Sequence, residues 1–390
     1  MLKFLSILRN FKISFKTPKH HEILVFDNLQ IHELRYVLRN RNYFVLDYRV
    51  DSSVTFFISL KVIKNVIKFY KGDIYTAYLS SIISIVNPKV VLTFIDNSLK
   101  FYELNRIFQN RIEFIAIQNA GRSDIPQYKY EYKKGLIKYD FSKKIFLTNF
   151  LCFGSSDVYE YKKNKARVKH FYKVGSLRLS NYLKDCKTKN KKKFDICLIS
   201  DLPSTNFLIH KIHNVKKIIN GYVNLINYTI KFCKKNNKKL IFARKDYNNY
   251  RSNDKVFLKE KLSKQNYSYL MKNSVLRKND QYSSYKAINY SDVVVGVNST
   301  MLFEKISLGG KILSCNFTKS NILDFPLKNY LFLKKNNYSI FENRLKNILK
   351  VSEKKFFSHL KSKKNFLIES HKKKNTIKEI NKIIDKKLKK

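Results

Sequence analysis

Short apolar runs separated by longer stretches of helical period recur twice along this chain, and that alternation leaves few architectures open. Between residues 20 and 150 the runs His21–Phe26, Tyr43–Asp47, Val90–Ile95 and Phe114–Gln118 read as strands. Segments of helical period lie among them, at Ile31–Arg39, Leu60–Tyr70, Tyr75–Ile85 and Phe101–Phe108. Strands with so little polar alternation need cover on both faces, which parallel strands joined by crossover helices provide. The expected unit is a doubly wound α/β domain.

From Ser142 to Lys193 the pattern changes to a strand-like F-L-C-F-G, a basic segment, K-V-G-S-L-R at 173–178 and a Lys and Asn run, and then it restarts. Strands are expected at Phe194–Ser200, Lys239–Arg244, Asp292–Val297 and Lys311–Cys315, with helices at Val215–Lys234, Tyr282–Tyr290 and Ser299–Leu308. This reading gives two tandem doubly wound domains, 1–183 and 194–337, a linker at 184–193 and a basic helical tail at 338–390. In the tail, Ile377, Ile380, Ile384 and Leu388 share one helix face, which either packs on the body or lies on a membrane surface. Open sheets bind ligands beyond their carboxyl strand ends, so a cleft between the domains is the expected site.

Composition supports cores of this size. The 390 residues are 44% hydrophobic and 14% aromatic, enough for two domains. Lys and Arg number 79 against 29 Asp and Glu, a net charge of +50, which favours anionic partners. Lysine is abundant together with Asn, Ile, Phe and Tyr, while Trp is absent and there are 9 Gly and 5 Pro, the mark of a biased codon usage. Charge alone therefore does not argue for nucleic acid, and no such partner is expected. The five cysteines include no C-x-x-C pair, which excludes a zinc ribbon and a disulfide scaffold. Lys3, Arg9, Lys12 and Lys16 break the apolar amino terminus, and no run approaches the ~20 apolar residues of a membrane span. A cytoplasmic protein is expected, soluble or peripheral on an anionic membrane surface.

The segment Tyr290–Asn316 carries most of the chemistry. A buried strand ends at Val297, and Asn298, Ser299 and Thr300 open a helix whose unpaired amides suit a phosphate. Ordinary capping explains Ser299 or Thr300 equally well. Glu304 stands one turn further in, off the capping-box position, where a carboxylate would accept ribose hydroxyls. Arg244 and Lys245 follow the strand K-L-I-F-A and put two cations at the same edge, as phosphate ligands or as a solvated pair.

In the first domain, polar clusters follow three strands: Asp27 and Asn28, then Asp96 and Asn97, then Gln118, Asn119, Gly121 and Arg122. They converge on one edge, where Asp96 or Asp27 could serve as general base toward an acceptor hydroxyl. Asp is also a common turn former after strands. No D-x-D, P-loop, G-x-S-x-G or H-E-x-x-H occurs, so kinase, serine-hydrolase and metalloprotease readings lose support, and neither a metal nor a cofactor is expected.

The stretches S-D-V-V-V-G-V-N-S-T-M-L-F-E at 291–304, I-Q-N-A-G-R at 117–122 and V-G-S-L-R at 174–178 resemble bacterial capsule and lipopolysaccharide glycosyltransferases of the GT-B type. They are more distantly similar to CDP-glycerol glycerophosphotransferases. The resemblance spans roughly residues 20–335 and implies two Rossmann-like domains facing a cleft. It implies that Arg244, Lys245, Asn298, Ser299, Thr300 and Glu304 hold a nucleotide-sugar donor. Asn97, Gln118, Asn119 and Arg122 would line the acceptor side, for a glycan or lipid-linked glycan. Where many such proteins have Q-N-G, this chain reads Gln118-Asn119-Ala120-Gly121. The implied activity is metal-independent glycosyl transfer; a polyol-phosphate transferase, a basic nucleic-acid binder and a non-catalytic carbohydrate binder are the alternatives.

Overall fold

The computed structural model describes residues 11–48, 54–121, 145–186, 192–201, 215–244, 254–276, 280–328, 330–360, 364–371 and 375–389. In the first lobe, β1 (Phe11–Ser14) pairs with β4 (Val54–Phe57) as a small parallel ribbon. The main sheet contains β2 (Ile23–Phe26), β3 (Tyr43–Leu46), β5 (Val90–Thr93), β6 (Glu113–Ile117), β7 (Phe146–Cys152) and β8 (Arg167–Lys173). Its order is β3-β2-β5-β6-β7-β8, parallel throughout.

Alternate residues of these strands feed two separate cores. Leu24, Phe26, Val91 and Phe114 face α3 (Ile74–Val86) and α4 (Leu99–Phe108). Ile23, Val25, Val90 and Leu92 face the opposite layer, which includes α1 (Arg35–Leu38). Between β4 and α3 lies α2 (Leu60–Phe69), capped by the Ser59 hydroxyl, which accepts from Val62 N. The helix expected at Ile31–Arg39 is split into a 3-10 turn at Ile31–Leu34 and the short α1.

β7 covers most of the strand-like F-L-C-F-G, and β8 falls in the segment after it, expected only to be basic. It is an edge strand whose Arg167, Lys169 and His170 point to solvent, so no apolar run announces it. Between β7 and β8 runs α5 (Ser155–Lys163), and after β8 comes α6 (Leu177–Asp185). Leu177 of α6 packs into the first lobe while Leu179 and Tyr182 enter the core of the second. The expected domain boundary at residue 183 thus falls inside a helix shared by both lobes.

The second sheet has the order β11-β10-β9-β12-β13-β14, again parallel. Its strands are β9 (Phe194–Ile199), β10 (Leu240–Ala243), β11 (Ser274–Val275), β12 (Ser291–Gly296), β13 (Lys311–Cys315) and β14 (Phe332–Leu333). Around it lie α7 (Val215–Lys235), α8 (Asp254–Lys261), α9 (Lys264–Lys272), α10 (Ser283–Tyr290) and α11 (Thr300–Ser307). Both sheets are open and doubly wound, and each reverses direction beside its first strand, at β2/β5 and at β9/β12.

The carboxyl-terminal helices divide between the lobes. Phe341, Leu345 and Ile348 of α12 (Tyr338–Lys350) and Phe356 of α13 (Glu353–Ser358) pack into the second core. The chain then crosses back through α14 (Lys364–Leu367) to α15 (Thr376–Leu388), whose Ile377, Ile380 and Ile384 are buried against the first sheet. Arg41 pairs with Asp385 at 2.7 Å and Lys387 with Glu113 at 3.0 Å. The apolar face of this last helix is used for packing, which settles the choice against a membrane role for that face. No described helix is long and apolar enough to cross a membrane.

Candidate functional site

At the β9/β12 reversal the chain leaves the two strands in opposite directions, the place where open sheets of this kind have their crevice. Asp201, just after β9, accepts the Val297 amide through Oδ2 at 2.8 Å, and the same oxygen lies 3.0 Å from where a Cβ on Gly296 would stand. The Val297 amide itself, at the end of β12, is therefore partnered. Ser299 is a helix cap in fact: its hydroxyl accepts from Met301 N. Asn298 donates Nδ2 to the Asp324 carbonyl at 3.4 Å, while its Oδ1 is buried with no hydrogen-bond partner among the described residues.

Arg244 leaves the end of β10, its amide donating to Val275 O at 3.1 Å and its Nε buried without a hydrogen bond among the described residues. Because β10, β9 and β12 are consecutive neighbours about 5 Å apart, Arg244 and Asn298 flank one crevice within roughly 10 Å of strand spacing. Lys245 lies outside the described residues. Among the described residues no group of three His, Cys, Asp or Glu is placed to hold a metal ion.

Glu304 does not face the open crevice. It is 1% exposed, and its Oε1 accepts the hydroxyls of Ser176 at 2.6 Å and Tyr285 at 3.0 Å. Ser176 also caps α6 by accepting from Leu179 N, so the V-G-S-L-R and N-S-T-M-L-F-E segments meet through this one carboxylate. The neighbouring Lys305 is equally buried and donates to the Ile288 and Ser291 carbonyls, both at 2.7 Å. Burial lowers its pKa from the ordinary lysine range to about 7.

The polar clusters of the first lobe do gather beyond β2, β5 and β6. Of the five carboxylates and amides expected to act on an acceptor, three, Asp96, Gln118 and Asp27, are buried. Asp96 is fully buried; its Oδ1 accepts Asn119 N at 3.1 Å, and its carbonyl accepts the Tyr102 hydroxyl at 2.5 Å. Gln118 accepts Phe153 N at 2.7 Å and donates to Ala120 O and to Asp157 Oδ1. Asp27, in left-handed backbone with φ 82°, accepts Leu29 N at 2.9 Å, an Asx turn that Asp tolerates better than most residues. Asp96 Oδ1 thus holds the turn after β6 through the Asn119 amide. Asn97 is exposed and Asn119 half-buried, while Arg122 lies outside the described residues.

The lobes meet directly at these loops. Gly121 N donates to Thr300 Oγ1 at 2.8 Å, joining the turn after β6 to the first residue of α11. A second bridge, which the sequence reading missed, joins Arg35 of α1 to Asp185 of α6 and Tyr282 ahead of α10. Sequence gives no signal for this cluster, because its members are far apart in the chain. Arg178 was missed too, although it stands in V-G-S-L-R: it pairs with Glu33 at 3.3 Å and lies 5.2 Å over the Phe94 ring, reaching the first-lobe loops from α6.

Comparison with known proteins gives a family and a fold. A family model described as a putative O-antigen biosynthesis protein matches residues 115–333, more than half the chain, from β6 through β14. This chain belongs to that family. No curated protein matches it. Among solved structures, the wall teichoic acid polymerase TagF superposes with a TM-score of 0.52 at 12% identity, covering 96% of this chain and 91% of that one. UDP-GlcNAc 2-epimerase from Neisseria meningitidis, bound to UDP-GlcNAc, gives 0.49 at 11% identity over 94% of this chain and 98% of that one. The O-antigen family member described here has the GT-B architecture, two Rossmann-like domains facing a cleft.

Proposed function

We propose that this protein transfers a glycosyl group from a nucleotide-activated donor to a growing surface polysaccharide or lipid-linked glycan. The observation that carries the reading is the second-lobe crevice, where Arg244 Nε and Asn298 Oδ1, buried and unpartnered among the described residues, stand at the loops beside the capped start of α11. Polar atoms buried without partners cost stability unless a ligand completes them. A guanidinium suits a diphosphate, and a helix start stabilises negative charge. In this reading Arg244 and the start of α11 offset the charge that grows on the departing nucleotide phosphate. Glu304, enclosed by Ser176 and Tyr285, acts on the donor by fixing α11 in place of a direct ribose contact. Asn97 and Asn119 present amides to the acceptor, on loops held by Asp96, Gln118 and Asp27.

A second reading, transfer of a polyol phosphate from a CDP donor, is favoured by the likeness to TagF, a wall teichoic acid polymerase. Phosphate retained in the product distinguishes it from sugar transfer. The test is a thermal-shift series with CDP-glycerol and with UDP-, GDP-, dTDP- and CMP-linked sugars, on the wild type and on Arg244→Gln. One donor at about 100 times its dissociation constant should stabilise the wild type by about 2.7 kcal/mol and the variant far less. Equal stabilisation of both proteins, or none from any donor, overturns the reading.

A further inference from the structure

The outer surface of the first lobe carries apolar side chains that, among the described residues, nothing covers. On α2, Val62 faces the core, whereas Leu60, Ile63 and Ile67, at spacings of three and four, form a second stripe turned to solvent. Their exposures are 88%, 46% and 73%. The ribbon beside α2 continues the surface: Ile58 N donates to Ser14 O at 2.8 Å, and Ile13 and Phe15, on one side of that strand, are 61% and 77% exposed. Lone exposed apolar residues are ordinary, but a contiguous group of this kind marks an interaction surface.

Charge identifies the partner. Lys61, Lys64 and Lys68 run along α2 at the same spacing as the apolar stripe, one residue on, and Lys71 follows. No Asp or Glu occurs from Leu60 to Lys71. A second copy of the chain docking through the same face would set these lysines against one another. A bilayer with anionic headgroups offers both an apolar layer for Leu60, Ile67 and Phe15 and phosphates for the lysines flanking them.

We infer that α2 and the β1/β4 ribbon form a docking surface for an anionic lipid bilayer, with α2 lying in the plane of the headgroups. The corner after α2 is tied to the cleft: Asp73, which caps α3, pairs with Lys100, just past the Asp96–Ser98 turn. Docking there sets the first-lobe loops beside the membrane. The inference does not rest on the proposed donor chemistry.

The test is flotation of the full chain with vesicles of phosphatidylglycerol and phosphatidylethanolamine, compared with phosphatidylcholine vesicles. Leu60→Ser with Ile67→Ser leaves the net charge of +50 unchanged, so any loss it causes does not come from bulk electrostatics. The wild type should float with the anionic vesicles, and the double variant should bind about tenfold more weakly at an unchanged melting temperature. Lys61→Gln with Lys64→Gln should also weaken binding, more than Lys231→Gln with Lys234→Gln on α7, which removes the same charge elsewhere. Undiminished binding of the serine variant overturns the inference, as does equal loss from the two lysine pairs. So does a wild type that is dimeric by light scattering and becomes monomeric in the serine variant, since the face would then join two copies.

Discussion

The Ser176 hydroxyl donates to Glu304 Oε1 across 2.6 Å, joining the first turn of α6 to the interior of α11. With Tyr285 donating to the same oxygen, one buried carboxylate fixes three helices from two lobes. Side chains in such a network depend on one another, because removing the acceptor strands two buried hydroxyls.

Glu304→Ala should therefore lower unfolding stability by about 2 kcal/mol or more. In a double-mutant cycle by urea unfolding, Ser176→Ala and Glu304→Gln should show a coupling of about 1 kcal/mol. Strict additivity of the two changes would mean that the contact contributes nothing.

Gly154 sits where the returning chain passes closest. A Cβ there would lie 2.7 Å from the Leu367 carbonyl carbon and 2.8 Å from Ile368 N, both backbone atoms that cannot swing aside. Gly154→Ala should cost about 1–3 kcal/mol and speed proteolytic cleavage around residues 364–371. An unchanged cleavage pattern would show that the segment yields without strain.

Lys305 makes stability depend on pH. Its folded pKa of about 7 lies below the ordinary 10.5, so between those values the unfolded chain holds a proton that the folded one lacks. Stability contributed by this residue thus rises with pH across that window, approaching about 1.4 kcal/mol per unit, and is constant below it. Lys305→Met should remove that rise. Urea unfolding at pH 7.5, 8.5 and 9.5 checks it: parallel curves for wild type and variant would refute the assignment.

Ile380 is fully buried between α15 and the first sheet. Ile380→Ala should cost about 2–5 kcal/mol and raise amide exchange along α15 before the sheet opens. Exchange at wild-type rates would place α15 outside the first lobe's folding unit.

Much of the architecture could be read from local pattern. Runs such as Val90–Thr93 and Val293–Val295 are apolar throughout because both faces of their sheets are covered, and period alone reveals that. Ser299 was legible as a helix start because a cap acts within its own turn. Strand β8 was hidden because an edge strand can carry charge. Asp96 and Gln118 were found at the right strand ends, yet sequence does not say which way a turn points its side chain. The bonds that join the lobes, 128 residues apart for Ser176 and Glu304 and 179 for Gly121 and Thr300, leave no local trace.

The return of α15 to the first sheet has a consequence for biosynthesis. Chains emerge from the ribosome amino end first, yet the layer over Ile23, Val25, Val90 and Leu92 is finished only by Ile377, Ile380 and Ile384. Until those residues are translated and released from the exit tunnel, the lobe made before them keeps a greasy side bare. It waits on α15 for its lid, and a chaperone able to shield that side meanwhile would raise the yield of folded protein.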